Sequence, residues 1–314
     1  MFNQFSIIRD PDLRFFAVLT AALSIIFLGS VVWNTRVERG DSSVPTETAS
    51  VFPEVTLVAK SAYIYDARTK TVLFAQNENT RLPLASLTKL MSALVAQELS
   101  PEYGTVTVSR EALALNGDNG LLADERWSLK DLLDFSLVSS SNDGIRAVAL
   151  SLGALSRSDA TTEEIIDDFV RKMNYKAAEL DLKNTYFWNE TGLDESEIKG
   201  GAYGTARDIT ALMEYITAYY PVLLEATRQE SATLESLDNY SHTATNTNDL
   251  VGVIPGLLGS KTGFTDTAGG NLTFAFDPEL GRPIIITILG STEQGRFDDA
   301  YKLVVATLQY LKGE

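Results

Sequence analysis

Ser86-Leu87-Thr88-Lys89 sets a hydroxyl and an amine three residues apart in a stretch with helical periodicity. Positions i and i+3 share a helix face, so the Lys89 amine can reach the Ser86 hydroxyl. A lysine acts as a base only when uncharged, and burial or a neighbouring cation lowers its pKa toward that state. Pro83 suits a helix start near Ala85 or Ser86, where the positive end of the helix dipole favours negative charge developing on the serine. Alone the pattern is weak. Ser196-Glu197-Ile198-Lys199 also matches it, in a polar, glycine-flanked stretch that reads as loop.

Composition narrows the alternatives. The 314 residues contain no cysteine and one histidine, His242, which rules out a thiol nucleophile, a Cys-ligated metal and a multi-His metal site. No metal or other cofactor is expected. A Ser-His-Asp triad would have to run through His242, and its polar surroundings, Tyr240-Ser241-His242-Thr243, read as a surface or loop position. With 42 acidic against 26 basic residues and a net charge of -16, nonspecific nucleic-acid binding is not expected. Two further signals join the first. Ser140-Ser141-Asn142 falls at a helix–helix junction, where Ser141 or Asn142 could serve only as a cap. Lys261-Thr262-Gly263 falls on a strand, where a lysine and a glycine could be only an exposed side chain and a bulge. Singly each reads as structural, but the order SxxK, SxN, KTG matches a known set of serine–lysine signatures. A P-loop reading of Gly259-Ser260-Lys261-Thr262 fails because Gly and Lys are not adjacent and a strand follows.

The elements that must position these groups are legible in outline. Ser61–Asp66 and Thr71–Gln76 flank a hairpin turn. Leu257–Thr265, Asn271–Phe276 and Ile284–Leu289 read as three strands, and residues 298–312 have helical spacing. Between these ends the pattern is helical over 86–99, 129–138, 142–152, 162–180 and 206–218. Strands at both ends and helices between them predict one α+β domain whose antiparallel sheet closes by bringing the chain ends together.

The chain resembles the low-molecular-weight penicillin-binding proteins of the D-alanyl-D-alanine carboxypeptidase type over roughly residues 55–312. The resemblance rests on Leu84–Met91, Ser141-Asn142-Asp143, Leu182–Thr185, Thr191-Gly192-Leu193-Asp194, Thr205–Asp208 and Lys261–Asp266 with Ala268-Gly269. It implies an α+β fold with a five-stranded antiparallel sheet flanked by helices and an inserted helical subdomain, like β-lactamases and D,D-peptidases. It implies Ser86 as the acylated nucleophile, Lys89 as its base, Ser140 as a proton relay and Asn142 as a ligand of the substrate amide. Lys261 would be a cation near Ser140 and the substrate carboxylate, Thr262 a hydrogen-bond donor to that carboxylate, and Gly263 the point where substrate lies along the strand. The N–H groups of Ser86 and Phe264 would form the oxyanion hole. Arg296 would be a second cation for the carboxylate or a member of a structural ion pair. Asn246-Thr247-Asn248 lacks the basic residue that some members carry between the asparagines. The implied partners are a peptidoglycan stem peptide ending in D-Ala-D-Ala and β-lactams as covalent inhibitors. A D,D-endopeptidase would use the same groups. A β-lactamase would need a glutamate that positions water, with Glu190, Glu195 and Glu197 in the relevant interval. A catalytically dead peptidoglycan-binding protein is the non-enzymatic reading.

Phe15–Trp33 is an uncharged, mostly apolar run of 19 residues. As a helix it would reach roughly 28 Å, near the ~30 Å of a bilayer core. It reads as an N-terminal transmembrane anchor, with cleavage as a signal peptide the minor alternative. The expected organisation is a short cytoplasmic segment over 1–14, the anchor over 15–33, a linker over 34–54 and an extracytoplasmic catalytic domain over 55–314. Many relatives carry a C-terminal amphipathic anchor; here attachment to the cell membrane is expected from the N-terminal end.

Overall fold

The computed structural model describes residues 51–115, 117, 120–153 and 159–313. Ser50–Glu314 forms one compact unit. The central sheet contains β1 (Ser61–Asp66), β2 (Thr71–Gln76), β3 (Leu257–Thr265), β4 (Gly269–Phe276) and β5 (Ile284–Ser291). Its order is β3-β4-β5-β1-β2, and every neighbouring pair is antiparallel. The two ends of the chain thus complete one sheet, as the sequence predicts, with β1 pairing with β5 in the register Ser61↔Leu289 to Asp66↔Ile284.

Period-2 alternation divides the interior. Ile284, Ile286 and Ile288 of β5 join Ile64, Leu272, Phe274 and Phe276 against α6 (Gly295–Lys312), through Phe297, Ala300, Leu303 and Val304. The intervening Ile285 and Leu289 belong to the larger core with the remaining helices: α1 (Thr88–Leu99), α2 (Leu129–Val138), α3 (Asn142–Gly153), α4 (Thr162–Glu179) and α5 (Ala206–Tyr219). All eight residues of β5 are buried, which explains its continuous apolar run. Caps fix several helix starts: Ser128 accepts from the Asp131 N–H, Thr205 from the Asp208 N–H, and Thr161 and Glu164 form a capping box.

Phe52 packs on Phe74 and Tyr310, with ring centroids 5.5 and 5.7 Å apart, so packing begins inside the stretch read as tether. The apolar run over 15–33 lies outside the described residues. Among the described residues, no helix is long and apolar enough to cross a membrane. Residues 231–245, read as polar chain, form a hairpin of Ser231–Glu235 and Ser241–Thr245. His242 lies there, not in a loop, and is mostly buried. Its Nε2 is 2.7 Å from the buried Glu125 carboxylate, and its ring packs against Trp127 and Phe135. Strand alternation turns it inward beside Ala244, which a scan for apolar residues alone does not reveal.

Candidate active site

Ser86 does not begin the α-helix. It sits in a single 3-10 turn, Ala85–Leu87, immediately before α1. Ala85 has φ 48°, a left-handed conformation that a residue with a Cβ adopts at a cost of about 1–2 kcal/mol. Three features hold it there. The short strand Leu82–Pro83 pairs with Ala202–Gly204. The Asn271 amide donates to the Pro83 carbonyl at 2.9 Å. Gly192, itself at φ 82°, leaves so little room that an added Cβ would sit 1.9 Å from the Ala85 carbonyl oxygen. The turn is therefore clamped from both sides, and the Ser86 hydroxyl projects from a fixed corner.

One helical turn on, Lys89 has no exposed surface. Its Nζ lies 2.8 Å from Ser86 Oγ, 2.7 Å from Asn142 Oδ1 and 2.9 Å from the Thr191 carbonyl oxygen. Burial pushes the amine down to about 7, with Glu190 pulling weakly the other way. A neutral amine has two N–H donors and one lone pair. The Asn142 Oδ1 and Thr191 carbonyl oxygens are acceptors, so they take the two donors and leave the lone pair for the Ser86 hydroxyl. The neighbours thus orient Lys89 as a base as well as discharging it.

Lys261, on the edge strand β3, is buried, and its Nζ donates to Ser140 Oγ at 2.9 Å and to the Thr262 carbonyl at 3.0 Å. Burial, Lys89 and Arg296 hold its amine well below the usual lysine range. Ser140 joins α2 to α3 with φ 62°, a second strained non-glycine residue at the site. The next two residues divide their labour: Ser141 Oγ accepts the Gly144 N–H, which is the capping role, and Asn142 reaches Lys89. Thr262 Oγ1 lies 2.5 Å from Thr247 Oγ1, so two hydroxyls meet where the resemblance leads one to expect a basic side chain.

Ser86, Lys89, Ser140, Asn142, Lys261 and Thr262 therefore converge at one site beside β3. Gly263 lies on the same strand, but its lack of a side chain serves the nucleophile turn: an added Cβ would meet the Leu84 carbonyl oxygen at 2.9 Å and the Ser86 nitrogen at 3.1 Å. Phe264 follows with its side chain 43% exposed. Arg296 is buried, and its Nη1 donates to the Gly263 carbonyl at 2.9 Å, so it reaches the site through the main chain of β3. The second SxxK copy is no helix: Ser196 and Lys199 pair across a tight turn, and Lys199 lies over the Trp188 ring. His242 is committed to Glu125. Sequence reasoning missed three participants. These are the Thr191 carbonyl and the Thr247 hydroxyl, which nothing in their residue types marks, and Arg146, considered below.

A family model described as D-alanyl-D-alanine carboxypeptidase matches residues 46–292. The chain is 32% identical over 252 residues to D-alanyl-D-alanine carboxypeptidase DacF of Bacillus subtilis, covering 78% of this chain and 61% of that protein. The chain thus spans less than two thirds of that relative's length. It is 29% identical to a D-alanyl-D-alanine endopeptidase of Pseudomonas aeruginosa, covering 78% of this chain and 76% of the relative. Among solved structures, the Streptomyces K15 DD-transpeptidase superposes with a TM-score of 0.73 at 26% identity, covering 82% of this chain and 99% of that one.

Proposed function

Since the chain belongs to the D-alanyl-D-alanine carboxypeptidase family, we propose that it is a serine D,D-carboxypeptidase that removes the terminal D-alanine from peptidoglycan stem peptides. The observation that carries this reading is the Lys89 amine, pushed down to about 7 and 2.8 Å from Ser86 Oγ. Lys89 takes the hydroxyl proton as Ser86 Oγ bonds to the carbonyl carbon of the penultimate D-alanine. The N–H groups of Ser86 and Phe264 hold the developing oxyanion. The carbon–nitrogen bond then breaks, and the proton held by Lys89 reaches the departing amine through Ser140, which Lys261 orients. Water hydrolyses the acyl-serine, releasing the shortened peptide and restoring the hydroxyl. Asn142 binds the substrate amide. The bound terminal carboxylate would draw the depressed Lys261 amine back toward the ammonium that pairs with it, Thr262 and Thr247 supply hydroxyls, and Arg296 acts through the strand it braces. β-Lactams would acylate Ser86 by the same first step.

The relative named as an endopeptidase favours a second reading, in which the same groups cut D,D-cross-bridges. A β-lactamase is less well supported. Glu190 is buried against Arg146, and Glu195 accepts a hydrogen bond from the Asn189 amide. We further propose that residues 15–33 anchor the chain in the cell membrane, with residues 34–50 as tether and the catalytic unit outside the cytoplasm, where peptidoglycan lies. The deciding experiment incubates the purified full chain with a stem pentapeptide and with cross-linked dimers, and follows D-alanine and dimer loss by mass spectrometry. Release of D-alanine from the pentapeptide supports the carboxypeptidase. Consumption of dimers alone transfers the activity to the endopeptidase reading, and neither product overturns both.

A further inference from the structure

Behind Lys89 lies a carboxylate that the steps above do not use. Glu190 is 1% exposed. Its segment is stitched to α1 at consecutive carbonyls: Ser92 Oγ donates to the Glu190 carbonyl at 2.6 Å, and Lys89 Nζ to the Thr191 carbonyl at 2.9 Å. Arg146 Nη1 donates to Glu190 Oε2 at 3.5 Å, and Glu190 Oε1 lies 3.2 Å from Arg146 Nε, within ion-pair reach but with no aligned hydrogen bond. Arg146 stands four residues after Asn142 on α3, so the two share a helix face. Asn142 meets Lys89 directly, and Arg146 meets the carboxylate next to it.

We infer that Glu190, held by Arg146, is a positioning residue for the reaction proposed above: its buried charge favours the ammonium that forms on Lys89 when Ser86 gives up its proton. The inference rests on that reading of the site. Burying a carboxylate costs free energy unless a cation compensates it, and Arg146 supplies the compensation. Burial dominates and holds the Glu190 carboxyl above its usual range, although Arg146, its own main-chain N–H and Lys89 draw it down, with a further push up from Glu195 on its own segment. The charged groups coupled to Lys89 are then Glu190, which favours its ammonium, and Lys261 of β3, whose own amine Lys89 depresses. Glu190 keeps the amine from becoming too weak a base beside a second buried lysine.

The test is the second-order rate constant for penicillin acylation of the full chain, measured from pH 5 to 9, since its acid limb reports the free enzyme's base. Glu190→Gln keeps size and removes charge. Its acid limb is expected to move to lower pH by roughly one unit, and its alkaline plateau to fall about 3–10-fold because a weaker base takes the proton. Arg146→Gln covers the case where Glu190→Gln does not fold. Removing a cation ordinarily raises a neighbouring lysine, but here the unpaired Glu190 takes up a proton, so the limb is expected to move to lower pH as well. Arg146→Lys, which keeps the cation, is expected to restore the wild-type limb. An unmoved limb in Glu190→Gln, or an upward shift in Arg146→Gln, overturns the inference and leaves the carboxypeptidase reading intact. A wild-type chain that takes no penicillin overturns that reading and this inference together.

Discussion

At the outer hairpin turns, Asp66 has no exposed surface and accepts hydrogen bonds from the Arg68 and Thr69 N–H groups at 2.9 and 3.0 Å and from Arg282 Nε at 2.8 Å. At the cleft, Lys89 and Lys261 are as deeply buried, but their hydrogen-bond partners are hydroxyls, carbonyls and an amide. Burial alone pushes the Asp66 carboxyl up, yet the bonds from Thr69 and Arg282 outweigh it and hold it below the usual carboxylate range. At the lysines nothing outweighs burial, and both amines fall. The fold thus satisfies charge where it needs a joint, between the β1–β2 turn and the loop before β5. Where it needs a base, it gives the amine no hydrogen-bonded counter-ion and only the Glu190 carboxylate, which is already paired with Arg146.

The comparison breaks most sharply at the nucleophile. Ser86→Ala is expected to abolish covalent penicillin labelling, read as the absence of the acyl adduct by mass spectrometry, while the melting temperature stays within about 2 °C because one partly exposed hydroxyl is lost. Lys89→Met should follow, slowing acylation by about 10²–10⁴-fold as the base disappears. Near pH 7 its stability should stay within ~1 kcal/mol of wild type, because three lost hydrogen bonds offset the relief of a buried amine. Undiminished labelling of either variant would sink the roles given to these residues.

What the sequence made legible follows the same division. Long periodic elements could be read directly: β5 from its isoleucine run, and α1 to α6 to within a few residues at their ends. The motif residues could be read as a set because Ser86-Leu87-Thr88-Lys89 and Lys261-Thr262-Gly263 are local patterns. The backbone around them could not. The pattern predicts a helix from Ser86, yet Ala85 is left-handed because the approach of Gly192, more than a hundred residues on, bends the turn. That contact leaves no periodic trace. The hairpin at 231–245 escaped because most of its side chains face solvent and only alternate positions are covered. Glu190 was visible only as a carboxylate in a suggestive interval. Its pairing with Arg146 spans two separate elements.

On the structural side, Asp66→Asn is expected to cost about 2 kcal/mol in urea unfolding at pH 7, because it weakens two main-chain bonds and leaves Arg282 short of its buried partner. Acylation per folded molecule should not change. A carboxyl depressed in the folded state contributes stability above its unfolded pKa, roughly 3.9, and that contribution is lost as pH falls through the folded value. The gap between wild type and Asp66→Asn should therefore be widest above pH 5 and close as the acid approaches pH 2. A gap that stays constant through this range would mean that Asp66 acts by shape alone.

The cleft should show a pH dependence of the same sign in a higher range, for the opposite reason: a buried charge is shed there, not gained. An unfolded lysine stays protonated up to about 10.4, whereas folded Lys89 gives up its proton near 7. Between these values the unfolded chain binds more protons, so stability rises with pH, by at most about 1.4 kcal/mol per unit for one group. The destabilisation due to the buried amine is full below pH 7 and is relieved as the pH climbs. Lys261 contributes in the same sense in both, but less in Lys89→Met, where Lys89 no longer depresses it, so the difference reports Lys89 together with its coupling to Lys261. From pH 7.5 to 9, before tyrosines ionise, wild type is expected to gain about 2 kcal/mol on Lys89→Met in urea unfolding. Parallel curves would mean that Lys89 keeps an ordinary pKa in the folded chain. The contrast between a joint built on satisfied charge and a site built on denied charge would then fail at its most important residue.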